Sequence, residues 1–155
     1  CHNDKYLYVN YTNVDTDVIA TLKGCISFLY TEDAVYFFIA TGESYPYDYY
    51  EFELSPRGEL FFADINNPNL NCSKFNTQYQ QCTAVQYGAK LTVQGWDGWL
   101  KLDLKVIGRG QVLRKFYGNF FRIDKTTGKP TSYLCWQSTF SDPPCFHKPK
   151  NFGAI

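Results

Sequence analysis

Apolar and charged residues alternate along short segments of the chain. The clearest segment is GWLKLDLKV at residues 98–106, whose alternating apolar positions are Leu100, Leu102, Leu104 and Val106. The residues between them are charged, so a strand here would turn one face to a core and the other to water. A helix would scatter the same leucines around its surface, and the pattern therefore predicts a half-buried strand.

A second alternating segment is YEFEL. Its period of two predicts that Tyr50, Phe52 and Leu54 face the core. Glu51 and Glu53 then face solvent on the opposite side of the strand.

Other apolar runs have the length of strands and are separated by turn signals such as SPRG, NNPN and KTTGKP. These runs are KYLYV, CISFLY, AVYFFIA, GELFFA, AKLTV, QVLRKFY, NFFRI and SYLCW. Aromatic residues make up 19% of the chain, which is typical of strands. We predict an all-β protein, either a single antiparallel barrel or a two-sheet sandwich stapled by disulfides.

The boundaries of smaller features also follow from the pattern. Asp97-Gly98 predicts a hairpin turn between AKLTV and WLKLDLKV. Residues 13–24 predict a short helix with an N-cap among residues 15–17 and an end at Gly24. The 155 residues suit one domain. Within it we expect an N-terminal extension over 1–24, tied by a disulfide, and a surface tail over 141–155.

Six cysteines suit disulfides in an oxidising compartment. They are Cys1, Cys25, Cys72, Cys82, Cys135 and Cys145. Sequence alone does not choose among their pairings, but we favour bridges between sequence neighbours, first with second, third with fourth and fifth with sixth. Zinc would need closer cysteine pairs and more histidine than His2 and His147, so we expect no metal and no cofactor.

The chain begins with cysteine and contains no methionine, which favours a mature secreted protein over one that lost only its initiator. Asn10 and Asn71 lie in N-x-[ST] triplets and are candidate glycosylation sites. Acidic and basic residues both number 15, so neither nucleic acid nor a membrane surface is an expected partner. No apolar run reaches the length of a membrane span.

The order of cysteines and strands over residues 25–147 resembles the AltA family of secreted fungal β-barrels, which includes a mould allergen and plant-pathogen effectors. The resemblance rests on the early Cys25, on LNCS followed by a second cysteine, on the WLKLDLKV hairpin and on the late cysteine pair. It implies bridges from Cys72 to Cys82 and from Cys135 to Cys145. The added Cys1 would let Cys25 pair within the chain.

Catalytic arrangements receive less support from the sequence. Glu51 and Glu53 lie close enough for a glycosidase pair, but strand alternation already explains them as a solvated face. A ribonuclease-type site would need His2 or His147 beside an acid, which requires the terminal segments to meet. We therefore expect a protein that is not an enzyme, with a small secreted hydrolase as the weaker alternative.

The segment ESYPYDYYEFE is rich in tyrosine, a residue that recurs at recognition surfaces. We take Tyr45, Tyr47, Tyr49 and Tyr50 as the candidate binding residues. The AltA resemblance implies a fungal effector or allergen that binds a host extracellular protein or a small phenolic ligand. The alternative is a lipocalin-like carrier of a hydrophobic ligand in a hollow barrel.

Overall fold

The computed structural model describes residues 1–42, 45–110 and 115–155. The strands are β1 (Tyr6–Val14), β2 (Ala34–Thr41), β3 (Asp48–Leu54), β4 (Leu60–Asn66), β5 (Asn76–Tyr79), β6 (Gln86–Thr92), β7 (Gly95–Asp103), β8 (Phe116–Asp124), β9 (Ser132–Cys135) and β10 (Gly153–Ala154). One short helix, α1 (Leu104–Ile107), follows β7, and single 3-10 turns lie at Leu29–Thr31, Cys82–Ala84 and Pro149–Asn151. Within the described residues, no helix has the length and apolar content needed to span a membrane.

The strands form two antiparallel sheets. The smaller sheet has three strands in the order β1-β7-β6. The larger has seven, in the order β10-β8-β2-β3-β4-β5, with β9 also paired to β8. The prediction of an all-β protein is confirmed, and of its two forms the structure is the sandwich.

Large side chains fill the space between the two sheets. Alternate residues of β2, Val35, Phe37 and Ile39, meet Leu100 and Leu102 of β7 there. Phe37 stacks on the Phe120 ring at 4.6 Å between centroids, in the offset geometry that aromatic pairs favour. Among the described residues this filled layer is unlike the hollow interior of a lipocalin-like carrier.

The outer face of the larger sheet is buried as well. The other residues of β2, including Tyr36 and Phe38, form a second apolar cluster with Phe61 of β4 and Phe121 of β8. Phe152 of the C-terminal segment belongs to the same cluster. Strand β2 is therefore enclosed on both faces, which explains why its sequence is a continuous apolar run.

The C-terminal segment differs from the predicted surface tail. Its Phe146 ring stacks on Phe121 with centroids 4.2 Å apart, and β10 pairs with β8 through Gly153 and Gly118. The N-terminal residues are likewise no mere extension, because β1 pairs with β7 along its whole length.

Several local predictions are wrong for identifiable reasons. Asp97 and Gly98 lie inside β7, and the hairpin turns at residues 93–94 because Thr92 pairs with Gly95. No helix forms over residues 13–24, where β-branched residues weaken helical preference. Strand β7 ends at Asp103, which caps α1 by accepting a hydrogen bond from the Lys105 amide. The run CISFLY is not a strand.

The predicted strand QVLRKFY falls partly outside the described residues, at 111–114. Its last two residues, Phe116 and Tyr117, begin β8.

The disulfides do not join sequence neighbours. Cys25 pairs with Cys82 and Cys72 pairs with Cys145, while Cys1 and Cys135 are free and exposed. The neighbour pairing is therefore wrong, as is the disulfide expected to tie residues 1–24. The folded strands bring distant cysteines together, and separations of 57 and 73 residues cannot be inferred from local spacing.

We expect peptide mapping without reduction to find these two bridges. A maleimide added to the folded protein should label Cys1 and Cys135 and leave the other cysteines unmodified, because only these two carry exposed thiols. Peptides joined through Cys72 and Cys82, or through Cys135 and Cys145, would contradict the structure.

Replacing Gly95 by Ala should destabilise the β6-β7 hairpin. Gly95 has a φ of +148°, and a Cβ there would lie 2.0 Å from the Asn13 carbonyl oxygen. Gly128→Ala is the matched control, since Gly128 also has positive φ but open space around it. We expect the control to lower the free energy of unfolding by about 1 kcal/mol and Gly95→Ala by at least ~2 kcal/mol more. Equal losses in urea denaturation would show that the close approach to Asn13 is absent.

Candidate functional site

Two glutamates of β3 point to the outer face of the larger sheet. Glu51 and Glu53 are 5% and 4% exposed, so the prediction that they face solvent is wrong. Alternation correctly placed Phe52 and Leu54 in the inner core. The opposite face is buried because the C-terminal segment lies over it. Alternation along one strand cannot predict which distant segment packs on each face.

His147 lies in this segment, against the same face. Its ring stacks on Phe75 with centroids 3.9 Å apart, and its Nδ1 is 2.8 Å from the Tyr49 hydroxyl. Asn67 donates to that hydroxyl oxygen and to the His147 carbonyl. The Tyr49 hydroxyl is then free to donate to Nδ1, which places the imidazole hydrogen on Nε2.

The imidazole Nε2 faces Glu51, with 3.9 Å between Nε2 and Oε1. Burial lowers the pKa of His147 to about 4, so the ring is neutral at pH 7. The Cys72–Cys145 bridge fixes the chain two residues before His147. Only His147 of the two histidines meets an acid, since His2 lies exposed in a bridge to Leu7.

A cleft of about 290 Å³ opens beside these groups. Its floor contains Tyr36, Phe38, Glu51 and Glu53, and the segment from Pro144 to His147 forms one wall. At the rim, Tyr30 and Tyr133 are 55% and 46% exposed. The cleft therefore combines exposed aromatic rings with buried polar groups, a typical composition of small-molecule sites.

Two polar atoms in the floor have no hydrogen-bond partner among the described residues, the Tyr36 hydroxyl and Glu53 Oε2. Leaving such a buried group unpaired costs about 1 to 3 kcal/mol. Trp96 Nε1 and Arg122 Nε are also unpartnered but lie outside the cleft. The two atoms in the floor differ from these because they lie beside a cleft from which a ligand could supply the missing partner.

Burial also shifts the pKa values of the titratable side chains in the floor of the cleft. Removal from water raises the pKa of Glu51 to about 8 and raises the pKa of Glu53 well above its usual value, with the neighbouring Glu51 charge adding to the effect. The pKa of Tyr36 is raised for the same reasons. At neutral pH the carboxyl pair therefore retains protons.

The four tyrosines predicted to bind do not form one surface. Tyr45 and Tyr47 are exposed, but Tyr49 is buried beneath His147. Tyr50 packs against the inner core, and the guanidinium of the exposed Arg109 lies 4.8 Å from its ring. Strand alternation sends Tyr49 and Tyr50 to opposite faces of the sheet.

The remaining predicted sites lie apart from the cleft. Asn10 is exposed on β1, and Asn71 lies in a turn in which its side chain accepts from Ser73. Both stay predictions as glycosylation sites.

A separate acidic cluster joins Asp15, Asp33 and Asp124, whose carboxylate oxygens lie within 4.8 Å of one another. Arg122 pairs with Asp15 and with Asp124. Asp33 accepts from two backbone amides, those of Ile19 and Lys125. These contacts tie the segment before β2 to the end of β8, and we interpret the cluster as structural.

Sequence reasoning missed the cleft's aromatic residues, Tyr30, Tyr36 and Tyr133. Each lies in an apolar run whose length predicts a strand, and nothing in those runs indicates that the three rings share a site. One signal that could have identified them is the number of tyrosines in the apolar runs. A tyrosine hydroxyl needs a hydrogen-bond partner when it is buried, so a tyrosine in such a run can indicate a polar site.

The sequence matches no protein-family model and no curated protein. Its fold is similar to that of solved structures. One is a protein from Bacteroides uniformis assigned as carbohydrate-binding, with a TM-score of 0.67 and 18% identity over 96% of this chain and 70% of that chain. Another is a family 9 carbohydrate-binding module from Caldicellulosiruptor kristjanssonii in complex with glucose, with a TM-score of 0.64 and 14% identity over 98% and 70%. That module in complex with cellotriose matches equally well. At these identities the similarity shows the two-sheet fold alone.

The buried acids predict a loss of stability above neutral pH. An unfolded glutamate ionises near 4.5, whereas the buried pair holds protons to higher pH, so the native state binds more protons and stability falls as pH rises through this window. The contribution of His147 to the pH dependence has the opposite sign. Burial lowers its pKa to about 4 in the native state, so the stability that the neutral ring contributes is lost as pH falls from 6.5 toward about 4. Between pH 6.5 and 8 the acids dominate, because His147 adds only the residual protonation of its unfolded imidazole, which disappears above about pH 7.5. We expect the free energy of unfolding to fall by up to about 1.4 kcal/mol per pH unit for each proton.

Urea denaturation at pH 6.5, 7.25 and 8 measures this slope. Glu51→Gln should flatten it, while Asp48→Asn, which changes an exposed carboxylate of the same strand, should leave it as in wild type. A wild-type slope of zero would mean that the carboxyls are ionised in the native state.

Proposed function

We propose that the protein is a non-catalytic sugar-binding module and that the cleft over β3 is its binding site. The observation that carries the proposal is the cleft itself, in which exposed tyrosine rings surround buried, unpartnered hydrogen-bonding atoms. A sugar ring presents apolar C–H faces to aromatic rings and hydroxyl groups to such atoms. The volume of about 290 Å³ holds roughly ten non-hydrogen atoms at the density of water, about one sugar ring.

The similarity in fold adds support from a different direction. The similar structures include a protein assigned as carbohydrate-binding and a carbohydrate-binding module solved in one complex with glucose and in another with cellotriose. A shared fold does not transfer a site, so the proposal depends on this chain's own cleft.

Binding is favoured over hydrolysis by the arrangement of the two acids. A glycosidase places its carboxyls on opposite sides of the scissile bond, one protonated and one ionised. Glu51 and Glu53 lie on the same strand in the floor of the cleft, and burial raises the pKa of both. Neither is therefore prepared to act as an ionised nucleophile or base at neutral pH.

The finer roles implied by the AltA resemblance remain predictions. These are an effector or allergen activity, a host extracellular partner and a phenolic ligand. Secretion also stays a prediction, which the two disulfides favour because such bonds persist in oxidising compartments.

The test is calorimetric titration with neutral and amino monosaccharides and short oligosaccharides, using wild type and two variants. Tyr30→Ala removes a rim ring that is 55% exposed, and Tyr47→Ala removes an equally exposed ring outside the cleft. An aromatic anchor is worth roughly 2 kcal/mol, so Tyr30→Ala should weaken binding about thirtyfold. Tyr47→Ala should bind as wild type does.

Circular dichroism checks that both variants are folded. Loss of binding in Tyr47→Ala alone would place the site on the tyrosine segment predicted from sequence. Wild type that binds none of the sugars would refute the proposal, and release of a fluorophore from aryl glycosides would show an enzyme instead.

A further inference from the structure

The cleft contains two acids without a basic partner. Among the described residues that line it there is no lysine or arginine. The nearest basic side chain is His147, which is neutral and 3.9 Å from Glu51. A buried acid is neutralised either by the proton that it keeps or by a nearby cation. In the free protein Glu51 and Glu53 retain protons, and a cation that replaces those protons would have to come from outside the residues that line the cleft.

Glu53 Oε2 also requires a hydrogen-bond donor when its carboxyl is ionised. An ionised Glu53 can only accept, and its Oε2 meets no donor among the residues that the structure describes. A ligand hydroxyl would supply one donor. A primary ammonium would supply three and a full positive charge, and hydrogen bonds between charged groups are about twice as strong as neutral ones.

The aromatic side chains that line the cleft are also suited to bind an ammonium group. Tyr36, Phe38, Tyr133 and Phe146 line it together with the acids, and aromatic faces attract a cation within about 6 Å of the ring centre. Aromatic rings alone would accept a neutral sugar equally well. The aromatic walls and the uncompensated acids together distinguish a cationic ligand from a neutral one.

We propose that the cleft selects a sugar that carries a free primary amine, with its ammonium group beside Glu51 and Glu53. This inference rests on the proposed sugar-binding function and names its substrate class. Acetylation removes the charge and should abolish the preference. A uronic acid would place a third carboxyl in the cleft and should be rejected.

Amine binding should be linked to proton release. A bound ammonium favours the ionised carboxyls, whose pKa values are raised in the free protein. The titratable groups facing the pair are Tyr30 of the 3-10 turn, Tyr36 of β2, Tyr49 of β3, Tyr133 of β9 and His147 of the C-terminal segment. Burial raises the pKa values of Tyr36 and Tyr49, so both stay neutral below pH 8, and His147 is neutral at pH 6.5 because burial lowers its pKa to about 4. The acids therefore account for the release.

The experiment titrates the full chain at pH 6.5 with glucosamine, galactosamine, glucose, N-acetylglucosamine, glucuronate and methylammonium. Two buffers that differ in ionisation enthalpy measure the protons released. We expect at least one amino sugar to bind tenfold or more tightly than glucose and N-acetylglucosamine, with net proton release. Glucuronate should bind least.

Glu53→Gln keeps the shape of the side chain and removes its charge. It should lose at least tenfold in affinity for the amino sugar while glucose affinity changes less than threefold. Asp48→Asn removes an exposed carboxylate outside the cleft and controls for the change in net charge. Circular dichroism checks that both variants are folded. The comparison of the six ligands on the wild-type protein tests the amine preference even if a variant does not fold.

Each outcome separates the two proposals. Neutral sugars that bind as tightly as amino sugars would overturn the amine preference and leave the sugar-binding function intact. Methylammonium and amino sugars that bind equally, with no binding of neutral sugars, would support the cation site and refute the sugar function. Absence of binding by all six ligands would overturn both.

Discussion

The cover over the outer face of the larger sheet is the constraint on which the site depends. A sheet in a sandwich can leave its outer face in water, and here the segment carrying Phe146, His147 and Phe152 lies across it instead. The Cys72–Cys145 bridge and the Asn67 side chain hold this segment in place. Without the cover, Glu51 and Glu53 would be solvated and would have ordinary acidity.

Under this cover, the side chains of β3 lie in two different environments. Phe52 and Leu54 pack in the inner core, while Glu51 and Glu53, which alternate with them, line the cleft beside Tyr36. The cost of burying Glu53 Oε2 and the Tyr36 hydroxyl is not offset by a hydrogen bond within the described residues. Ligand groups that enter the cleft can therefore gain from contacts that the protein itself leaves unmade, and the sugar-binding proposal and the amine preference both follow from this property.

Part of the candidate site could be predicted from the sequence. The sequence offers Glu51 and Glu53 as a possible carboxyl pair and, separately, His2 and His147 as the histidines of a possible site. That His147 lies beside Glu51, while His2 does not, is a result of the tertiary structure. The neighbouring residues Tyr30 and Tyr133 could not be predicted, because they come from a 3-10 turn and from β9 at opposite ends of the chain. The tyrosines at 45–50 are predicted as binding residues because they lie close together in the sequence. Closeness in sequence does not indicate on which face of the sheet each ring lies.

The sequence by itself determined the all-β class, most of the strands and the residues of β3 and β7 that face the inner core. Period-two alternation is a local property of an extended backbone, so it can be read without knowing the fold. Only the tertiary structure decided the disulfide partners and the environment of the outward residues. Alternation distinguishes the two faces of a strand but does not say what lies against each. For Glu51 and Glu53 that is a segment almost a hundred residues away, brought there by packing of Phe146 on Phe121 and by the Cys72–Cys145 bridge.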